Sequence, residues 1–199
     1  MQNYSPNTNL ALAKGEQMIK IMRWLALNIN NVNEWIGRLT AWCIIFMVFT
    51  IVYNVVTVIG FRISSIAMQE LQWHFFALIF LLGAAYTLKH DGHVRIDIFY
   101  HNPRISDTYR AWVNLFGHLF LLLPFCALII YASFPFVDMS YKFHESSPEA
   151  GGLPYRFLIK SMIPVSFGLL FLQGIAASLT QILFLLGHPI PTEDADGTL

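Results

Sequence analysis

Four long runs without a formal charge dominate the pattern of polar and apolar positions along the chain, and each contains at least 18 residues. A helix rises about 1.5 Å per residue, so about 20 residues cross the hydrocarbon layer of a bilayer, which is about 30 Å thick. The pattern therefore predicts four membrane-spanning helices, at about residues 39–61, 69–89, 111–137 and 161–187. Pro124 and Pro164 lie inside two of these runs and are candidate bends.

A different helical pattern precedes the first run. Apolar residues recur at intervals of three and four from Met18 to Val32, which places them on one helix face. Charges at Lys14, Lys20 and Arg23 interrupt this segment, so it cannot cross the hydrocarbon. It predicts an N-terminal amphipathic helix lying in the membrane interface, within residues 1–35. An ordinary helix packed on a partner, or on a second copy, is the alternative.

The distribution of Lys and Arg predicts how the chain is oriented. Eight of these residues fall in the N-terminal segment and the second loop, against four in the first and third loops. Positive residues accumulate on the cytoplasmic side, so both termini are predicted to be cytoplasmic. The sequence thus predicts an all-α membrane protein with a polar N-terminal segment and interfacial helix (1–35), a four-helix membrane domain (36–187) and a short acidic tail (188–199).

Composition supports a membrane protein and excludes one class of partner. Hydrophobic residues make up 56% of the chain and charged residues 12%, whereas soluble domains carry about 25% charged residues. The net charge is zero, so nothing indicates binding to nucleic acid. Cys43 and Cys126 lie inside apolar runs and are interpreted as small buried hydrophobic residues.

Seven histidines raise the possibility of a haem site, which needs two histidines at matched depth on facing helices. Only His74 and His118 lie within the predicted spans. Counted from the ends of their helices, their depths differ by about 12 Å, so one haem iron cannot bind both. We therefore expect no haem, no metal ion and no catalytic residue in this chain.

The second span begins and ends with polar groups. Glu70 is the one acid next to an apolar core, and the sequence leaves two interpretations open: a polar contact to a partner helix, or a plain acid at a helix start. Trp73 is typical of an interfacial residue, and Gly83 and Ala84 form a small-residue patch that another helix could approach.

A second polar group follows the same span. His93, Arg95 and Asp97 come after an Asp-Gly turn signal and share one side of an extended chain. We interpret them as a hydrogen-bonded cytoplasmic clasp that holds the loop to a partner or to the second helix. The third loop, at residues 144–156, has the Pro and Gly residues of a shaped turn.

These motifs resemble a known family. Glu70 followed by Trp73, the sequence GAAY at 83–86, HVRID at 93–97 and GGLPYRFLIKSMIPVSFGLLFLQG at 151–174 resemble the small membrane subunit of tripartite ATP-independent periplasmic (TRAP) transporters, the DctQ-like subunit. The resemblance covers roughly residues 36–186. It implies a bacterial inner-membrane protein that forms a stable heterodimer with a large membrane subunit and is contacted transiently by a periplasmic solute-binding protein.

The resemblance also implies a function. It indicates a non-catalytic scaffold in sodium-driven uptake of organic acids, which braces a large elevator-type subunit and helps to dock the binding protein. Sodium is expected in the large subunit, and this chain is expected to contact membrane lipid, including a structural phospholipid. Candidates for the subunit interface or for docking are Glu70, Trp73, Gly83, Ala84, His93, Arg95, Asp97, Gly152, Arg156 and Lys160. The alternative function is a membrane anchor of a quinone-linked oxidoreductase complex.

Overall fold

The computed structural model describes residues 6–90 and 106–190, with side chains described from residue 14 onwards. The described residues form helices and connecting loops, with no strand among them. In chain order the elements are α1 (Pro6–Phe61), α2 (Ile66–Lys89), α3 (Asp107–Phe116), a π-helical segment (Gly117–Leu122), α4 (Leu123–Lys142) and α5 (Phe157–Leu185).

Four helical rods within this part of the chain are long and apolar enough to cross a membrane. They are α1, α2, the continuous rod of α3, the π segment and α4, and α5. The predicted all-α class with four spanning helices is therefore confirmed. Each helix begins before the apolar run that predicted it or ends beyond it, because hydropathy marks only the part suited to lipid. Residues 93–97, where we predicted a clasp, lie outside the described residues.

The first helix is longer than its apolar run. It extends over 56 residues without a break, which corresponds to about 84 Å. The boundary predicted between residues 35 and 36 therefore lies inside one helix. Charged side chains such as Lys20 and Arg38 oppose burial in lipid but do not oppose helical backbone hydrogen bonding, so the helix continues through them. Whether the arm preceding residue 36 lies in the membrane interface stays a prediction.

The third rod changes its helical geometry just before Pro124. Proline has no N–H group, and its ring collides with the preceding turn of an α-helix. The π segment ends at Leu122, and the N–H group of Leu123 donates to the carbonyl of His118, five residues earlier. The wider turn leads into α4. Pro124 lies in the first turn of α4, where its missing N–H group costs no intrahelical hydrogen bond. This is where the sequence predicted a bend.

Helix α5 lies at the centre of the assembly. It contacts α1 and α2 on one side and α3, the π segment and α4 on the other. Its buried positions are mostly small or polar, namely Ser166, Gln173, Gly174, Ala176, Ser178 and Leu183. A Cβ atom on Gly174 would lie 3.0 Å from Leu122 Cδ2, so glycine allows this close approach. Small residues let helices pack tightly in a membrane, where apolar contact alone favours protein no more than lipid.

Helices α1 and α2 also pack closely. The aromatic ring of Tyr86 lies directly on Gly37, where an added Cβ atom would be only 2.1 Å from Tyr86 Cδ2. Further along the same contact, Phe46 stacks on Phe75 with 6.2 Å between ring centroids. The Gln72 amide donates to the carbonyl of Thr50 at 3.3 Å. A glycine thus sets the spacing of the helices at one end of this pair.

We expect substitution Gly37→Ala to separate α1 from α2, because the new methyl group would overlap the Tyr86 ring. Overpacking of this kind costs about 1–3 kcal/mol, more than the gain of up to about 1 kcal/mol from replacing glycine in a helix. Thermal unfolding in detergent measures the change. Gly168→Ala in α5 is the matched control, since nothing lies within 4 Å of its Cβ position. Equal stability of the two variants would contradict the proposed packing.

Candidate functional site

Glu70 lies one turn inside α2 and binds the loop that connects α4 to α5. The helix begins at Ile66, after the side chain of Ser65 caps its N-terminus. The Glu70 carboxylate accepts hydrogen bonds from the Ser147 hydroxyl and, at 2.6 Å, from the N–H group of Leu153. The two interpretations left open by the sequence were a partner helix and a plain helix-start acid. The contact found is instead within the chain, to its own loop.

Gly152 makes this contact possible. A Cβ atom at this position would lie 2.4 Å from Ser147 Cβ and 2.8 Å from Glu70 Oε2. Gly151 beside it has a φ of 84°, a backbone conformation that side chains disfavour. The Glu70 cluster, formed by Glu70, Ser147, Gly152 and Leu153, therefore depends on two consecutive glycines that keep the loop backbone against the carboxylate.

The rest of the loop is closed by a second set of contacts around Glu145. The Lys160 ammonium group donates to the Glu145 carboxylate and lies 4.1 Å from the centre of the Phe136 ring. The Arg156 N–H group donates to the Glu145 carbonyl at 3.0 Å. The hydrogen bond from the Lys160 ammonium group lowers the pKa of the Glu145 carboxyl below its usual value. Of the predicted candidates, Gly152 and Arg156 thus lie in the α4–α5 loop, and Lys160, in the first turn of α5, binds the loop through Glu145.

Trp73, Gly83 and Ala84 are not among the residues that make these polar contacts. Trp73 is 70% exposed and lies edge-on to Phe76 on its own helix, with 6.5 Å between the ring centroids. No atom lies within 4 Å of a Cβ position on Gly83, and Ala84 is half-buried. The structure therefore does not group them with Glu70.

A charged cluster that the sequence did not predict lies at the opposite end of α2. The Glu34 carboxylate, on α1, accepts from Lys89 Nζ at 2.7 Å and lies 2.9 Å from His90 Nε2. Arg38, one turn along α1, donates to the same carboxylate at 3.0 Å. We call Glu34, Arg38, Lys89 and His90 the Glu34 cluster. One signal was available: Glu34 and Arg38 have the spacing of an ion pair on one helix face, next to the start of a span.

A buried chain of amide groups connects α1 to α5. Asn33 donates to the Gln173 side chain at 2.7 Å, and Gln173 donates to Asn30 at 2.9 Å. Asn33 and Gln173 are both buried. Paired amides inside a membrane protein fix two helices against each other, because separating them leaves polar groups in an apolar environment.

His74, one of the two histidines within the predicted spans, contacts its own helix. His74 Nδ1 lies 2.6 Å from the backbone carbonyl of Glu70 on its own helix. Across residues 6–90 and 106–190, no three His, Cys, Asp or Glu side chains come together as metal ligands would. The polar contacts join segments of the chain, and they do not form a nucleophile with a base.

The outer sides of the assembly are apolar and open. Large apolar side chains are exposed along α1, α2 and α4, among them Trp42, Phe49, Phe80, Leu128 and Tyr131. The polar clusters close the two ends of α2, and these sides remain for lipid or for other proteins. Contacts within the chain therefore hold the described helices together, and the outer helix faces are available to lipid or to other proteins.

Comparison with protein families gives a decisive match. The family model for the DctQ component of tripartite ATP-independent periplasmic transporters matches residues 47–184. The chain belongs to the DctQ family. No curated protein and no solved structure matches it. The chain is therefore the small membrane component of a TRAP transporter, and it is a multi-pass membrane protein.

The limits of the DctQ match divide the polar contacts into two groups. The whole Glu70 cluster and the Glu145 contacts lie inside residues 47–184. Glu34, Asn30 and Asn33 lie before the match begins, in the arm of α1. Membership in a transporter family favours the transport function over the oxidoreductase anchor. It also implies association with the other TRAP components.

We expect Glu70→Ala to loosen the α4–α5 loop, because the Ser147 hydroxyl and the Leu153 N–H group lose their acceptor. Hydrogen exchange at residues 147–153 should then quicken by about tenfold, as expected for loss of a charge-assisted hydrogen bond. Glu149→Gln, in the exposed part of the same loop, is the matched control and should leave exchange unchanged. If both variants exchange at the wild-type rate, Glu70 does not order the loop.

In the Glu34 cluster, charge-exchange substitutions distinguish the contribution of the Glu34–Lys89 ion pair from that of the Glu34–Arg38 ion pair. Glu34→Lys and Lys89→Glu should each lower thermal stability, and the double variant should recover part of the loss. A coupling energy above about 0.5 kcal/mol is expected for this half-buried pair. Arg38→Gln should change stability by less than about 0.5 kcal/mol, since its side chain is 77% exposed. Strict additivity of the two single variants would contradict a stabilising Glu34–Lys89 pair.

Proposed function

We propose that this chain is the non-catalytic scaffold of a sodium-driven transporter that takes up organic acids across a bacterial inner membrane. In this role it braces a large elevator-type subunit in a stable heterodimer, while sodium and solute bind to the partner. The observation that carries the proposal is the open arrangement around α5: polar contacts inside the chain fix the helices, and broad apolar sides stay exposed. A subunit that moves within the membrane needs a neighbour that stays in place, because its displacement is defined relative to that neighbour.

A scaffold role also agrees with the absence of formal charges from the apolar runs of α1 and α2. From Leu39 to Phe61 and from Leu71 to Leu88 neither helix carries a formal charge, and the amide of Gln72 is bound to the Thr50 carbonyl. Secondary transporters bind solute and ions at the middle of the membrane, between broken helices with free backbone groups. This chain offers no comparable path in its described residues, which supports a bracing role.

We infer that the α4–α5 loop helps to dock the periplasmic solute-binding protein. With both termini in the cytoplasm, this loop is external. The Glu70 cluster and the Lys160–Glu145 pair hold it in one shape, and Phe143 and Tyr155 are exposed on it. His144 and Tyr155 have φ values of 44° and 62°, an uncommon conformation that persists only where surrounding contacts impose it. A preformed loop binds a transient partner without first losing conformational entropy.

Reconstitution of the three components in liposomes tests the proposal. We expect uptake only when this chain, the large subunit and the binding protein are all present with a sodium gradient. Glu70→Ala should reduce uptake severalfold while the large subunit still copurifies and the binding protein still captures solute. Glu149→Gln should transport like the wild type. Solute movement by this chain alone would overturn the scaffold role, and wild-type uptake by Glu70→Ala would overturn the docking role of the loop.

A further inference from the structure

The chain runs beside the N-terminal arm of α1 at the point where α5 ends. Helix α5 closes in a Schellman motif: Gly187 has a φ of 78°, and the His188 N–H group donates to the Leu183 carbonyl at 2.9 Å. The guanidinium group of Arg23, in the arm that precedes residue 36, donates to the carbonyl of Pro189 at 3.4 Å. The segment that follows α5 therefore starts next to this arm.

Two cations of the arm lie side by side at this place. Lys20 and Arg23 are three residues apart, so their side chains are neighbours on the helix surface. Lys20 is exposed and Arg23 is half-buried. Among the described residues neither side chain belongs to an ion pair, although Glu16 lies one turn before Lys20. The two cations are thus available to a carboxylate from another segment.

The acidic tail supplies such carboxylates within reach. Residues 191–199, which lie outside the described residues, contain no Lys or Arg. Their three acids are Glu193, Asp194 and Asp196. Glu193 follows Pro189 by four residues, and four extended residues span up to about 14 Å. Lys20 lies about 4.5 Å from Arg23 along the helix axis, so the tail can reach both cations.

The connection along the chain favours the tail over an acid on a separate molecule. One exposed ion pair shifts an equilibrium by only about 1.4- to 5-fold, so two of them do not hold a separate partner at micromolar concentration. A short tether instead keeps the tail acids at an effective concentration of about millimolar. The contact between Arg23 and Pro189 already fixes the start of that tether.

We propose that the acidic tail folds back on the arm of α1, where its carboxylates pair with Lys20 and Arg23. We call this contact the tail latch. It joins the arm to the end of α5, 166 residues later in the chain, and so fixes the direction of the arm relative to the membrane helices. The latch uses no contact to another subunit and is independent of the scaffold role.

Zero-length cross-linking of the purified full-length chain tests the latch. A carbodiimide joins an amine to a carboxylate that touches it, and peptide mass spectrometry identifies the two residues. We expect the tail acids to be linked to Lys20 about fivefold more often than to Lys14, as exposed ion pairs support. Lys14 is the matched control, since it is exposed on the same arm but lies about 120° around the helix from Lys20.

Salt provides a second control within the same molecule. Raising the ionic strength from about 0.05 M to about 0.5 M should reduce the links from Lys20 to the tail severalfold, because exposed charges are screened. The link between Lys160 and Glu145 should change less, since these side chains are only 17% and 35% exposed. Links from Lys20 that persist unchanged at high salt would contradict an ion-paired latch.

Two variants separate the latch from a general effect on the fold. Arg23→Gln removes a cation that carbodiimide does not cross-link, and it should reduce the links from Lys20 to the tail about threefold. Lys14→Gln should leave them unchanged. Replacing the three tail acids by Gln and Asn leaves every described residue in place, and it should quicken hydrogen exchange at residues 14–23 about threefold.

The outcomes decide which occupant the two cations bind. Cross-linking a mixture of isotopically labelled and unlabelled chains shows whether the links join one chain or two, and links between two chains would overturn the latch. Loss of the links in vesicles that contain phosphatidylglycerol, but not in vesicles of phosphatidylcholine alone, would assign the cations to anionic lipid and also overturn it. Links within one chain that favour Lys20 and weaken in Arg23→Gln would support the latch.

Discussion

The arrangement of this chain depends on one constraint: a polar group that is removed from water must find its partner within the protein. Three contacts meet it. Glu70 binds the loop around Ser147 and Leu153, 77 and 83 residues later, and Glu34 binds Lys89, 55 residues later. Asn33 binds Gln173, 140 residues away. Each contact joins elements distant in sequence, so together they determine which helices are neighbours and at what height they meet.

The free energies of the contacts explain why polar contacts, and not the apolar surface, determine which helices are neighbours. Lipid tails are as apolar as leucine, so turning or sliding a helix in lipid exchanges one apolar contact for another at little cost. A buried hydrogen bond between membrane helices contributes only about 0.6 kcal/mol on average. Leaving one partner buried and unpaired costs more, about 1–3 kcal/mol. The contacts therefore contribute modestly to stability and strongly to register, because each wrong register leaves several groups unpaired.

The sequence predicted the four spans because burial in lipid requires long charge-free runs, which any reader of residues 39–61 or 71–88 can find. It did not predict that the N-terminal helix and the first span form one continuous helix, because charge opposes burial in lipid without opposing helical backbone hydrogen bonding. Glu70, Gly152 and Lys160 were singled out, but their grouping needed the three-dimensional path of the loop. Glu34 was missed for the same reason: its principal partner, Lys89, is on another helix. The pattern of residues within one segment shows which environment a helix face suits. It does not show which residue of another segment that face will contact.

The position of α5 explains how so small a core holds the helices together. Only a few apolar side chains are fully buried among the described residues, Cys126, Ala176 and Leu183 among them. Gly174 and Ser178 let the neighbouring helices approach α5 closely, and Gln173 fixes α1 against it. Close helix approach and paired amides along one central helix then hold the helices together, and the outer faces need not contribute to this packing. Those faces are thus free to bind lipid or a larger partner, which is what the proposed bracing role requires.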